Sequence, residues 1–414
     1  MPGKRVAMAV MNDVVHDQRV IKEARTLAKA GYDVTVVGLL SDRTTAKENR
    51  DGIAIRRIKP FRFSSNHLKI IWEVIRYYRP IFLVGNETQR RVYIELRRID
   101  ADIYHAHDLD TLSACSKVAQ ERGVRVVYDS HELFLAMIRL SIIFPIVGLF
   151  YLVWLRWYYG RVEQKYIRHA DAVITVNPVI ANRLATKYSI PDPLVIYNVP
   201  ELQKNTVPVD LHKQLDLAPK VKIVVYQGSW NDSRAVPELI VCIEFLPSDY
   251  ALVLFLTAPQ KQMSELQSLA RAHHLTPRVF FHDPVPFDDL IKYNMASAVG
   301  VIPFKGTNEN NRLASPNKLF EFMMSGLPIA ATNLPVMGRL IRENRLGELF
   351  ADTKPKTMAA AIRKVCESPA YREMRRNARQ AAEQRFNWAI EAKKLLALYD
   401  RLAAASTTRS TFAA

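Results

Sequence analysis

In the segment Ser315–Pro328, SPNKLFEFMMSGLP, residue types and spacing suit an anion held at the start of a helix. Ser315 is a favourable N-cap, and Pro316 suits the first helical position, where its missing N–H costs nothing. The amides of Asn317, Lys318 and Leu319 then point out of the helix, with the positive end of its dipole behind them. Lys318 adds a full charge, and Glu321 lies on the same face one turn later. A diphosphate fits against the amides and the lysine, and Glu321 is placed to accept hydrogen bonds from sugar hydroxyls. The same residues also suit a capped amphipathic helix with a salt-bridged Lys–Glu pair.

A second set of polar residues sits at the ends of apolar runs. His131 follows the run Val124–Asp129, at the carboxyl edge where parallel sheets carry their sites. His105, His107 and Asp108 end the preceding run, with His105 read as a packed core histidine. Asn12, Asp13 and His16 occupy the loop after the first run. Asp108-Leu109-Asp110 fits the short Asp-x-Asp pattern that can hold a divalent cation. Asp100-Ala101-Asp102 fits it too, so the pattern discriminates poorly. Asp110 is read instead as the cap of a helix Thr111–Arg122, and no metal is expected.

These residues need elements that end together at one edge. Strand-like runs occur at Arg5–Met11, Asp33–Leu39, Ile53–Ile58, Asp102–His107, Val124–Asp129, Ala172–Val176 and Leu194–Tyr197, with helical patterns between most of them. Asp17–Ala30 is the clearest helix, with Val20, Ala24, Leu27 and Ala28 on one face and Gly31 as its stop. After a polar, proline-containing connection the pattern restarts at Val221–Gln227, Ala251–Thr257, Arg278–Phe281, Ala298–Pro303 and Pro328–Thr332. Strands alternating with helices predict parallel sheets covered on both faces. The expectation is an α/β protein of two Rossmann-like domains, 1–200 and 221–386, joined by a linker at 201–220 and facing across a ligand cleft. Residues 359–402 read as helical, broken near Ser368–Pro369 and Asn387–Trp388.

The bulk composition agrees. The chain has 414 residues, 49% of them hydrophobic and 24% charged, which describes a globular protein of two or three units. Its net charge of +17 favours an anionic partner: nucleic acid, an anionic membrane surface or a phosphorylated small molecule. Cys115, Cys242 and Cys366 are odd in number and far apart, which excludes a disulfide framework and suits a reducing cytoplasm. The amino-terminal MPGKRVAMAVM is too short in its apolar part for a signal peptide and reads as a first buried strand. Leu140–Leu155, LSIIFPIVGLFYLVWL, falls short of the roughly 20 residues a spanning helix needs and contains Pro145 and Gly148. Its flank, Trp154, Trp157, Tyr158 and Tyr159 beside Arg156 and Arg161, points to a membrane-facing stretch at 140–160, the alternative being a buried core helix.

Taken in order, DQRVIKEARTLAKAGYDVTVVG, DIYHAHD, YDSHEL, VVYQGSW, AVGVIPF, SPNKLFEFMMSGLP and NWAIEAKKLLALYDRL resemble family 4 glycosyltransferases, retaining enzymes of the GT-B fold. The resemblance runs from Asp17 to Leu402 and implies that 387–414 contains the family's last helix, returning to the amino-terminal domain. It implies that Glu321 is the second acid of a Glu-x7-Glu motif and holds the donor ribose. Leu313 stands where the first acid falls, and the chain looks like a subset with PNKLFE instead. Arg234 stands where a diphosphate-binding lysine is usual, six residues after Gly228, while Ser229 replaces the usual arginine. The donor set so implied is Gly228, Arg234, Ser315, Asn317, Lys318, Leu319 and Glu321. His131 matches a histidine near the reacting sugar carbon, giving His131, Arg234 and Lys318 as the catalytic group. Asp13, His16, Asp108 and Glu132 are the candidates for acceptor contact.

The expected activity is transfer of a hexose from a UDP or GDP sugar to a lipid-linked or surface-polysaccharide acceptor, with retention and without metal. The expected place is the inner face of the cell membrane, peripherally bound. A sugar-nucleotide 2-epimerase of the same architecture is the alternative, although no convincing pair of acid/base carboxylates can be placed. A nucleic-acid-binding protein is a weaker one, since no nucleic-acid module is present and the basic residues are spread along the chain.

Overall fold

The computed structural model describes residues 4–61, 80–137 and 145–410, with the backbone alone for 80–86, 145–152, 287–288 and 405–410. The chain divides into two compact units, Met1–Tyr197 with Ala392–Ala414, and Asn198–Glu391.

The first unit holds β1 (Arg5–Ala9), β2 (Asp33–Leu39), β3 (Lys47–Arg50), β4 (Ile53–Ile58), β5 (Ile103–His107), β6 (Arg125–Ser130), β7 (Ala172–Thr175) and β8 (Leu194–Val195). They form one sheet in the order β3-β4-β2-β1-β5-β6-β7-β8. Only the edge pair β3–β4 is antiparallel. β5 is buried along its whole length, which is why such strands read as continuous apolar runs. Its two histidines are the exception to that rule. Helices α1 (Gln18–Lys29), α2 (Pro80–Arg97), α3 (Leu109–Arg122), α4 (Pro145–Ile167) and α5 (Pro178–Tyr188) make the connections. Because β1 lies between β2 and β5, the chain reverses direction across the sheet there, and the loops after β1 and β5 diverge at the carboxyl edge.

The second unit repeats the plan with β9 (Lys222–Ser229), β10 (Tyr250–Thr257), β11 (Val279–His282), β12 (Val299–Ile302), β13 (Ile329–Thr332) and β14 (Gly347–Phe350), in the order β11-β10-β9-β12-β13-β14. All its pairings are parallel. Its helices are α6 (Val236–Cys242), α7 (Gln260–Ala272), α8 (Phe287–Met295), α9 (Asn317–Met324), α10 (Pro335–Glu343), α11 (Pro355–Cys366) and α12 (Tyr371–Gln384). α13 (Trp388–Ser410) starts here, and its residues from Ala392 onward belong to the first unit. Gly300 seats α9 on the sheet: a Cβ there would lie 2.6 Å from the Phe322 ring.

Three sequence readings change. Segment 201–220, expected as a linker, belongs to the second unit: the Gln203 carbonyl accepts from Arg379 Nη2 (2.6 Å), and Leu211 is fully buried. Strands β3 and β14 were not expected; β3, Lys-Glu-Asn-Arg, is a polar edge strand with no apolar alternation to betray it. α4 is neither all buried nor all exposed. Leu155, Tyr159, Tyr166 and Ile167 face the core, while Val153, Trp154, Arg156, Trp157 and Arg161 are exposed. Residues 140–144 of the expected stretch lie outside the described residues, and no described helix is long and apolar enough to cross a membrane.

Candidate functional site

In the second unit the carboxyl end of β9 and the start of α9 meet at Gly228. A Cβ on Gly228 would lie 3.0 Å from Lys318 Nζ, and its φ of +134° is one that side chains disfavour. After β9, Asn231 accepts from Ser233 N–H (2.9 Å) and Ser233 Oγ (2.7 Å), shaping a single 3₁₀ turn, Asp232–Arg234. That turn brings Arg234 over the Phe304 ring, 3.5 Å from its centre, with Lys318 Nζ 5.5 Å from the same centre. Lys318 Nζ also lies 4.0 Å from the centre of the Tyr226 ring.

Lys318 is buried, and among the described residues no carboxylate pairs with it. Burial and the neighbouring Arg234 charge pull its ammonium down to about 7, against a smaller opposing pull from Glu321. Glu321 instead takes the side-chain amide of Gln227, so the salt-bridged alternative does not form. Tyr226 Oη and Gln227 Oε1 are buried without a hydrogen-bond partner among the described residues. Two adjacent cations over aromatic rings, with polar atoms unsatisfied beside them, form a cradle that an anion would complete.

The helix start differs from the sequence reading. α9 begins at Asn317, Pro316 is the N-cap, and no side chain caps it, so Ser315 does not serve as the cap. The Leu319 amide is spent on the Pro316 carbonyl at 2.9 Å. The Asn317 and Lys318 amides remain as the donors at that end.

In the first unit, half-buried His131 is the centre of a charge cluster whose inner members, Arg19, His107 and Asp129, are buried. Its backbone N–H donates to Asp108 Oδ1 (3.0 Å), its Nδ1 lies 3.2 Å from Asp108 Oδ2, and its Nε2 lies 3.1 Å from both Asp129 Oδ2 and His107 Nδ1. Burial alone would lower the imidazolium, yet Asp108 and Asp129 outweigh it and hold it up to about 10. Arg19, 2% exposed, donates through Nε (2.6 Å) and Nη2 (2.8 Å) to Asp129 and through Nη1 to the Ile196 carbonyl (2.8 Å). Burial works against the Asp129 carboxylate, but Arg19 and His131 keep it well below the usual range. His105 Nδ1 pairs with Tyr399 Oη on α13 at 2.8 Å, which gives the core histidine a polar partner.

Two backbone outliers lie at the carboxyl ends of the neighbouring strands β1 and β5. Val14 has φ +70° in the loop after β1, rare for a β-branched residue, and Asn12 Oδ1 accepts its N–H at 2.8 Å. Asp108 has φ +63° and ψ 168°, a glycine region that costs other residues about 1–3 kcal/mol. Strain of this kind persists only where surrounding structure enforces it, and it gathers at sites.

Of the acceptor candidates, Asp108 alone reaches the cluster. Asp13 Oδ1 accepts from Val15 N–H (3.2 Å) and its carbonyl from Arg57 Nε (2.8 Å), so it shapes the loop. His16 and Glu132 are exposed. Asp110 lies in the first turn of α3 and does not cap it; burial and then Asp108 push its carboxyl up to about 6. Asp100 and Asp102 are taken up by Arg5 and Arg122, which removes that Asp-x-Asp pair as a cation site.

Glu23, His105, His107 and Asp129 each offer a ligand atom, all within 4.8 Å of one another. Arg19 competes with any cation there, 2.6 Å from Asp129 and 3.3 Å from Glu23. Burial, reinforced by Asp129, raises the Glu23 carboxyl and favours its neutral form. Arg19 and His131 are the cations that face Asp108 and Asp129 there.

Sequence reasoning missed Arg19, Glu23, Asp129, Tyr226, Gln227 and Phe304. A signal existed for the first two: Arg19 and Glu23 are spaced i, i+4 beside the apolar face of α1, where charges require partners. Tyr226 and Phe304 carried none, since an aromatic at a strand end reads as core.

Residues 18–198 match the family described as "Glycosyl transferase 4-like domain", and residues 222–368 match "Glycosyl transferases group 1". The chain is 21% identical over 423 residues to the chitobiosyldiphosphodolichol beta-mannosyltransferase of Kluyveromyces lactis, covering 94% of this chain and 88% of that one. In fold it is similar to sucrose-phosphate synthase from Thermosynechococcus elongatus (TM-score 0.75, 18% identity, 97% of this chain and 100% of that chain). It is also similar to Anabaena HepE in complex with UDP and glucose (TM-score 0.67, 14% identity, 96% of this chain and 100% of that chain). The two parallel-sheet α/β units are those of GT-B glycosyltransferases.

Proposed function

We propose that this chain, a glycosyltransferase of GT-B type, moves a hexose from a UDP or GDP sugar to a lipid-linked or surface-polysaccharide acceptor with retention, at the cytoplasmic face of the membrane. One observation carries the reading: Arg234 and Lys318 lie together over Phe304, and among the described residues no carboxylate pairs with Lys318. Breaking a sugar–phosphate bond loads negative charge onto the departing diphosphate while the sugar becomes oxocarbenium-like. Fixed cations and the Asn317 and Lys318 amides meet that charge as it grows, so no divalent ion is needed in this reading. Lys318 is only partly protonated near pH 7 in the free protein. An arriving diphosphate raises its proton affinity and completes the charge. Glu321, oriented by Gln227, accepts from the donor's ribose hydroxyls.

His131 serves as a fixed charge, not as a base: both ring nitrogens face carboxylates and it keeps its proton at neutral pH. The name of the Kluyveromyces lactis relative supports a lipid-linked acceptor. The exposed Trp154, Trp157, Arg156 and Arg161 on α4, with the net charge of +17, support an anionic membrane surface as the place of work.

Thermal shifts against a panel of UDP and GDP sugars test the donor. One base should stabilise the protein, and Lys318→Ala and Glu321→Ala should each abolish that shift; normal shifts in both variants overturn the assignment. Turnover should survive EDTA. Acceptor-free incubation separates the 2-epimerase, which would convert the donor sugar, from a transferase, which would leave it nearly unchanged.

A further inference from the structure

We infer that Asp108 is a positioning residue, its backbone held in a glycine-like conformation so that its carboxylate grips both the main chain and the ring of His131. Asp108 occupies the N-cap of α3 and makes no capping hydrogen bond. An aspartate there ordinarily turns its carboxylate onto the amides of its own helix, from an extended backbone. Here φ is +63° and ψ 168°, and the carboxylate leaves the helix for His131: Oδ1 takes its N–H at 3.0 Å, and Oδ2 lies 3.2 Å from Nδ1.

The surroundings enforce this conformation. The Asp108 N–H donates to the Asp129 carbonyl at 2.9 Å, and its carbonyl accepts from the Thr111 N–H at 3.3 Å. Thr111 Oγ1 is anchored on the His107 carbonyl at 2.8 Å. An aspartate at a position that forgoes its cap and bears strain is accounted for by its contact with His131.

The other groups facing the ring are Asp129 and His107 from the sheet, Asp17, Arg19 and Glu23 from α1, and His105 behind His107. None of them is positioned by a strained backbone of its own.

The inference rests on His131 as a site group, and its test reads the ring rather than turnover, so the two can fail separately. Full-length protein labelled with ¹⁵N-histidine is titrated by NMR as wild type, Asp108→Gly and Asp108→Asn, with His131→Gln identifying the resonance. Glycine suits the backbone, so strain relief should offset part of the lost ion pair and Asp108→Gly should melt no lower than Asp108→Asn, while its His131 ring titrates at least one pH unit lower. Asp108→Asn keeps an oxygen for the His131 N–H without the charge; it should show the same downward shift and no gain in melting temperature. A His131 titration unchanged from wild type in the two variants overturns the proposal, whatever their melting temperatures.

Discussion

Each unit sets a cation at the carboxyl edge of a parallel sheet, half-buried His131 in one and buried Lys318 in the other, and the two treat it in opposite ways. In the first, His131 is matched by Asp108 and Asp129 and its proton is held tightly, up to about 10. In the second, Lys318 is set beside another cation, and its proton is held loosely, at about 7. A balanced cluster is finished within the fold and serves as a fixed element. In the proposed reading the second cluster is finished by a ligand, whose negative charge answers two neighbouring cations.

The most disruptive way to break this comparison is Asp129→Asn. It leaves buried Arg19 and half-buried His131 without their shared anion, and should cost about 3–5 kcal/mol in chemical denaturation. A loss under about 1 kcal/mol would mean that Asp129 is not the keystone of a balanced cluster.

Next in size is pH. His131's raised value means that its stabilisation is whole below about pH 6.5 and is lost as pH rises toward about 10. Lys318 runs the other way: its lowered value makes burial costly below about pH 7, and that cost fades toward about 10.5. Measured relative to wild type, the stability of Lys318→Met should therefore fall as pH rises from 7 to 10, while that of His131→Gln should rise, with slopes up to about 1.4 kcal/mol per pH unit. Coincident curves would erase the distinction.

Proton uptake sharpens it further. Calorimetric titration with whichever of UDP and GDP binds, in buffers of different ionisation heat, should show close to one proton taken up at pH 8 and little at pH 6. Uptake independent of pH would remove Lys318 as its source. The smallest effect belongs to the surface of α4. Trp154→Ala with Trp157→Ala should weaken co-flotation with anionic liposomes at low salt several-fold without changing the melting temperature. Wild-type protein that does not float at all would remove the membrane reading.

Legibility followed distance along the chain. The run Asp33–Leu39 matches β2 because seven consecutive residues carry the pattern, and Asp17–Gly31 delimits α1 through its own caps. Lys318 and Glu321 were visible because proline, asparagine and lysine at a helix start are a local sign. Ser315 misled for the same reason: Pro316 carries an extended backbone, ψ 143°, so the helix starts one residue later and the serine falls outside it. Asp129 read as the end of a strand, since its partner Arg19 lies 110 residues away.

The sequence by itself determined most of the elements, the parallel character of the two sheets and the chemical types at the strand ends. These follow from periodicity, capping and turn propensity, which act over a few residues. Tertiary structure decided which charges are neutralised and which are left waiting. It joined Arg19 to Asp129, gave Asp108 to His131 in place of its own helix, and set Lys318 against Arg234. The physical reason is that proton affinity and ion pairing depend on burial and on neighbours brought from distant segments, and no local pattern carries that information.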